Sequence, residues 1–173
     1  MEDLDELGKR HLKEFIDGWG ADRYNTLTIM NLTNKKTLPT NVSYRIIEVA
    51  KKHVIEDLIG RNVPSICRCI IIIGNIAKNT NKKEVKSIAI EALADLTKYD
   101  NYANINKQMQ KDYDYDRRSG FIEKKFENIK NVVDYFCNLA EDRLQELGVI
   151  PEILKEVGED LDKSFGEQKV NSK

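Results

Sequence analysis

Carboxylates in one polar stretch have the spacing of a cation-binding loop. Residues 112–123 read DYDYDRRSGFIE, with Asp112, Asp114 and Asp116 at alternate positions and Glu123 at the twelfth. Calcium loops between two helices take oxygen ligands from positions 1, 3, 5 and 12. These four carboxylates therefore form a candidate site for a divalent cation such as Ca²⁺ or Mg²⁺.

The loop departs from the EF-hand pattern at its turn. Position 6 of an EF-hand loop is a glycine that allows a sharp bend, and this chain has Arg117 there. Arg117 and Arg118 also bring positive charge close to the aspartates. The alternative interpretation is a solvated connector, in which Asp116 or Ser119 caps the following helix and the acids favour its positive N-terminal end. The sequence leaves both interpretations open.

Two histidine–glutamate pairs form a second candidate metal site. Glu14 follows His11 by three residues, and Glu56 follows His53 by three residues, so each pair lies on one helix face. Di-iron bundles use Glu-x-x-His in the opposite order, together with two further glutamates. A bundle could bring the two pairs together around iron or another divalent cation. The alternative is a histidine beside a surface glutamate, without a metal.

The three cysteines carry no pattern of a reactive or metal-binding site. Cys67 and Cys69 are two residues apart, and on a helix such side chains point about 200° apart, so they cannot share one metal ion. Cys137 follows Phe136 in an apolar stripe, where a free cysteine acts as a small hydrophobic residue. The chain also has no glycine-rich phosphate loop, zinc spacing or nucleophile elbow. The sequence therefore predicts no catalytic residue.

Tyrosines concentrate in the polar segment between residues 98 and 120. Tyr99, Tyr102, Tyr113 and Tyr115 lie there. Tyrosine is enriched at binding hot spots, because its ring buries a large area while its hydroxyl stays hydrated. The segment is a candidate contact surface for a protein partner, with core packing as the alternative.

Apolar residues that recur every three to four positions predict helices through most of the chain. In residues 21–33 the stripe is weak and consists of Tyr24, Leu27 and Met30 with Leu32. The most regular stripe lies within residues 122–147, where it could serve an internal core or a partner helix. Gly148, with a proline three residues later, is a normal stop signal for this helix. The other predicted helices cover residues 3–19, 37–58, 62–79, 81–96 and 154–165.

The helix at residues 62–79 is apolar on nearly every side, which predicts the central and most buried helix. Its run of isoleucines would also suit a buried strand. No second convincing strand exists to pair with it, and an isolated strand leaves backbone groups unsatisfied. We therefore expect an all-α fold. It is a single-domain helical bundle, or a short irregular HEAT-like stack, of six to seven helices.

Composition restricts the class of protein. With 173 residues, 40% of them hydrophobic and 33% charged, the chain can bury one core, so we expect one domain over residues 1–165 and a flexible tail over 166–173. A formal charge of −1 makes nucleic acid a poor partner. No apolar stretch reaches the length that a bilayer requires. Three cysteines, an odd number, suit the reducing cytoplasm.

Three phrases in the first two-thirds of the chain resemble a known family. They are LPTNV at residues 38–42, VPSICRCIIIIGNIAKNTN at 63–81 and KKEVKSIAIEALADL at 82–96. They are similar to a small archaeal family of uncharacterised four-helix bundles, and the resemblance covers residues 27–97. The chain differs in the last of these helices, where the KKEV turn replaces a proline-bearing segment. The resemblance implies a helical bundle and carries no activity or ligand residue to this chain.

The leading functional hypothesis is a cytoplasmic interaction or scaffold module that binds another protein or a second copy of itself. Amphipathic helices without a catalytic set of residues favour a binding protein over an enzyme. The alternative is a protein that binds a divalent cation through the 112–123 loop or the His-x-x-Glu pairs. A hydrolase of unfamiliar type has no specific residue in its favour.

Overall fold

The computed structural model describes residues 6–17, 23–35, 37–56, 63–102 and 129–149. These residues form six α-helices and one short 3₁₀ helix, with no β-strand among them. This confirms the all-α prediction. The α-helices are α1 (Glu6–Ile16), α2 (Arg23–Lys35), α3 (Thr40–Glu56), α4 (Val63–Asn79), α5 (Lys83–Leu96) and α6 (Ile129–Glu146), and the 3₁₀ helix is Tyr99–Tyr102.

The helices pack in two layers. In one layer α3 lies between α1 and α5, and in the other α4 lies between α2 and α6. Arg68 of α4 contacts Thr26 near the start of α2, and Asn79 contacts Thr33 near its end, so α2 and α4 run parallel. Short connections make consecutive helices antiparallel from α1 to α5. The arrangement is that of stacked helical hairpins.

α4 is the central helix, as the sequence predicts. It contacts α2, α3, α5 and α6, and its isoleucines are buried on several sides. Pro64 lies in its first turn, where the missing N–H group has no helical partner to lose. Gly74 of α4 faces Arg143 of α6, because a Cβ atom there would lie only 3.1 Å from Cδ of Arg143. The glycine thus leaves room for the Arg143 side chain between α4 and α6.

The described core is one cluster with side chains from all six α-helices. The described part of the predicted 122–147 stripe belongs to it, since Val133, Phe136 and Ala140 are fully buried. That part of the stripe therefore serves the internal core and not a partner helix. The expected domain boundary at residues 165/166 and the last predicted helix at 154–165 lie outside the described residues.

α6 ends where the sequence places its stop signal. Gly148 has a φ angle of 72°, a left-handed conformation that glycine adopts without a steric penalty. The amide of Val149 donates to the Leu144 carbonyl at 3.1 Å, and the amide of Gly148 donates to the Gln145 carbonyl at 2.9 Å. These two bonds form a Schellman motif, which satisfies carbonyls that have no partner within the helix.

Asp95 ties α5 to α3. Its carboxylate accepts hydrogen bonds from Lys51 Nζ at 2.5 Å and from Lys98 Nζ at 3.4 Å. Partial burial by itself would raise the pKa of the Asp95 carboxyl, but the two ammonium groups outweigh burial and hold this pKa below its usual range. The interaction therefore stabilises the fold when Asp95 is ionised.

We expect Asp95→Asn to lower the free energy of unfolding by about 1 kcal/mol at neutral pH, a modest effect because both partners are partly exposed. Since the folded-state pKa lies below the unfolded value of about 4, this advantage of the wild type is fully present above the unfolded pKa. It is lost as the pH falls through the folded-state pKa. Urea unfolding at a series of pH values from neutral to strongly acid measures the difference between wild type and Asp95→Asn. Asp142→Asn, at an exposed position of α6, is the control. A difference that stays constant with pH would contradict the role of the charge.

Candidate functional site

The acidic loop lies outside the described residues. Asp112, Asp114, Asp116 and Glu123 fall between the 3₁₀ helix and α6, and so do Tyr113 and Tyr115. Binding of Ca²⁺ or Mg²⁺ by this loop stays a prediction, and so does a contact role for its two tyrosines.

The first histidine–glutamate pair lies where α1 meets α2. His11 Nδ1 contacts Oδ1 of the buried Asn25 and lies 3.8 Å from Oε2 of Glu14. Glu14 also forms an ion pair with Arg10, whose Nε lies 3.1 Å from the Glu14 carboxylate. His11 thus joins two helices, while Glu14 takes part in a surface ion pair.

The first residue of the second pair, His53, is buried in the core. The ring of His53 packs against the ring of Phe15, with centroids 5.9 Å apart and planes tilted by 50°. Glu56 is the last residue of α3, and its side chain is not among those described. No group of three or more His, Cys, Asp or Glu side chains in the described part of the chain could hold a metal ion. The structure therefore does not gather His11, Glu14 and His53 into a metal site.

The cysteine thiols fit the structural interpretation. Cys137 is buried on α6, as predicted for a core-filling residue. Burial and, to a smaller extent, the Asp134 and Glu141 carboxylates raise the pKa of its thiol to about 11. Such a thiol is protonated at neutral pH and is a poor nucleophile. On α4, Cys67 is half-buried and Cys69 is buried, and neither forms a disulfide.

The two tyrosines of the 3₁₀ helix differ in their surroundings. Tyr102 is buried, and its hydroxyl donates a hydrogen bond to the Leu96 carbonyl at 2.9 Å. Burial also raises the pKa of this phenol well above its usual range. Tyr102 is therefore a core residue, in agreement with the alternative of core packing, and its ring is not accessible to a partner. Tyr99 is exposed, and Nζ of Lys130 lies 5.8 Å from its ring centroid, within the range of a cation–π contact.

Two of the four residues in the predicted apolar stripe of α2 are exposed. Tyr24 is 71% exposed and Leu27 is 40% exposed, whereas Met30 is half-buried and Leu32 is buried, so the stripe does not form one buried face. Asn31, also exposed, shares their side of the helix because the three positions are spaced by three and four residues. We call Tyr24, Leu27 and Asn31 the α2 outer face.

The opposite side of α2 is partly polar. Asn25, Thr26 and Thr33 are buried there together with Ile29 and Leu32. α2 therefore reverses, in part, the usual distribution of an amphipathic helix, in which apolar residues face inward. The apolar residues of its outer face are not needed to bury α2 in the fold.

Polar contacts with α4 satisfy backbone carbonyls at the C-terminal end of α2. Asn79 Nδ2 donates to the carbonyls of Thr33 at 2.7 Å and Asn34 at 3.2 Å. Both carbonyls lie in the last turn of α2, where helical donors are missing. The Thr37 hydroxyl in turn donates to the Asn79 carbonyl at 2.7 Å. The C-terminal ends of α2 and α4 thus cap each other.

The three residues of the α2 outer face are uncharged, and the exposed Lys35 follows them on the same side at the end of the helix. α2 has 13 residues, of which only the first, Arg23, and the last, Lys35, are charged. In the whole chain 33% of residues are charged, so an exposed helix face without charge departs from its general pattern. This scarcity of charge is the signal in the sequence that could have identified the face as a contact surface, because charged residues are depleted at interface cores.

No protein-family model, curated protein or solved structure matches the chain. The resemblance of residues 27–97 to the archaeal bundle family stays a prediction. Crossing a membrane takes a long apolar helix, and none of the helices that the structure describes meets this requirement.

Proposed function

We propose that the protein is an interaction module and that the α2 outer face is its binding surface. The observation that carries this proposal is the exposure of Tyr24 and Leu27 on an uncharged face. Tyrosine is enriched at binding hot spots, and a partner that covers this face removes apolar surface from water at about 25 cal/mol per Å². A protein partner that brings an apolar helix or strand surface fits this face best.

The contacts that hold α2 in place favour binding at its outer face. α2 is held by hydrogen bonds from Asn79 at its C-terminal end and by the His11 contact near its N-terminal end. A face that is already ordered loses little conformational entropy when a partner binds. We place the module in the cytoplasm, where its three cysteines stay reduced. Its balanced charge gives no general attraction for nucleic acid.

A photo-crosslinking amino acid at position 31 tests the surface in the cells that make the protein. We expect adducts of higher mass from position 31 and none from position 86, where Lys86 is exposed on α5. Tyr24→Ala/Leu27→Ala should reduce the adduct at least about tenfold, because hot-spot truncations commonly cost more than 1 kcal/mol each.

A matched double variant controls for the loss of surface hydrophobic residues in general. Tyr135 on α6 and Ile88 on α5 are 39% and 41% exposed. Tyr135→Ala/Ile88→Ala should therefore leave the position-31 adduct unchanged. An equal loss of the position-31 adduct in the two double variants would contradict the proposal. Equal adducts from positions 31 and 86, or no adduct from either position, would also contradict it.

A further inference from the structure

We infer that the partner of the α2 outer face is a second copy of this chain, joined across a two-fold axis with its α2 antiparallel to the first. This inference rests on the proposed function and names the partner for the same surface. The position of α2 in its layer, the lack of charge on its outer face and the charges at its two ends all favour this partner.

α2 is the end helix of its layer. α4 packs on one side of it, and α6 continues the layer beyond α4, while none of the other described helices lies on the far side of α2. Stacked helical repeats remain separate molecules when their end helices have polar outer faces. α2 instead exposes Tyr24 and Leu27. Its outer face thus suits a further helix, and α2 of a second copy would continue the layer.

The face is compatible with a copy of itself. In a two-fold interface the same patch lies on both sides, so a charged residue near the axis meets its own charge. Tyr24, Leu27 and Asn31 carry no charge. The Asn31 amide can donate and accept hydrogen bonds, so it can pair with the Asn31 amide of the other copy.

Charges at the two ends of α2 favour an antiparallel pair. Asp17, which follows α1 and precedes α2 in the chain, and Lys35, the last residue of α2, are both exposed. Within one copy, Lys35 suits the negative C-terminal end of the helix dipole. In an antiparallel pair the Lys35 end of each α2 also faces the Asp17 end of the other, while a parallel pair would place like ends together.

Sedimentation equilibrium of the purified chain tests the inference. We expect wild type to form a dimer of twice the chain mass of 20.0 kDa. Leu27→Glu and Leu27→Lys should each sediment as monomers, because each variant sets like charges against each other near the axis. An equimolar mixture of the two should recover the dimer, since opposite charges then meet. Ile88→Glu, at an equally exposed position on α5, should stay dimeric, and circular dichroism verifies that each variant is folded.

Crosslinking of the purified chain from position 31 then locates the contact. The peptide attached to it should come from residues 23–35 of the second copy. A wild-type monomer, or dissociation by Leu27→Glu and Ile88→Glu alike, would overturn the inference. If adducts in cells join position 31 to a different protein, the second-copy inference falls and the proposed function stands. If position 31 forms no adduct, or only one with residues 103–128 or 150–173 of its own chain, both fall.

Discussion

Phe136→Ala should lower the free energy of unfolding by about 3–5 kcal/mol, whereas Tyr135→Ala, one residue earlier on α6, should lower it by about 1 kcal/mol or less. Phe136 is fully buried in the common core, and Tyr135 is largely at the surface. Removal of the buried ring leaves a cavity that the surrounding helices cannot fill completely, because the helix backbones are held by their other contacts.

Urea unfolding followed by circular dichroism measures both variants. The neighbouring aromatic residues make a close control, since both are truncated to alanine at adjacent positions of one helix. We expect the denaturant slope to remain that of the wild type, with the midpoint shifted. Equal losses for the two variants would mean that α6 does not pack as described.

Gly74→Leu should lower the free energy of unfolding by about 2–3 kcal/mol, because the added side chain enters space that α6 already fills. A Cβ atom at position 74 lies 3.1 Å from Cδ and 3.3 Å from Cγ of Arg143. The further carbons of leucine therefore force either the Arg143 side chain or the whole of α6 to move.

A double-mutant cycle identifies the cause. Arg143→Ala removes the Cγ and Cδ atoms that lie closest to position 74, so the loss from Gly74→Leu should shrink by at least about 1 kcal/mol in that background. Gly74→Ala provides a test with the opposite sign. In the Arg143→Ala background alanine should stabilise the protein by up to about 1 kcal/mol, since alanine is the better helix former. Additive losses in the Gly74→Leu cycle would show that Arg143 is not the obstacle.

The sequence was informative where apolar residues alone decide the packing. The helix of residues 62–79 is apolar on nearly every side, and it is the central helix in the structure. The end of α6 at Gly148 also follows from local chemistry, because a left-handed glycine is needed there. Both features depend on residues that are close together in the chain.

α2 shows why the rest could not be predicted. Apolar spacing selects the side that carries Tyr24 and Leu27, but burial of the other side depends on polar partners about 45 residues away. Asn79 meets α2 only once α2 and α4 lie in parallel. The same limit applies to Tyr102, whose burial depends on how the 3₁₀ helix returns its hydroxyl to the Leu96 carbonyl. Periodicity contains no information on such contacts.

Asn79 and Thr37 cap the C-terminal ends of α2 and α4, so binding at the α2 outer face also stabilises the folded state of the whole molecule. α2 cannot detach without exposing carbonyls of its last turn, and its anchor belongs to the helix that touches four others. Whatever attaches to α2 thereby draws the folding equilibrium towards the native state, by an amount that grows with the logarithm of its concentration. For a chain that pairs with itself, the melting temperature becomes a function of how much of the protein is present.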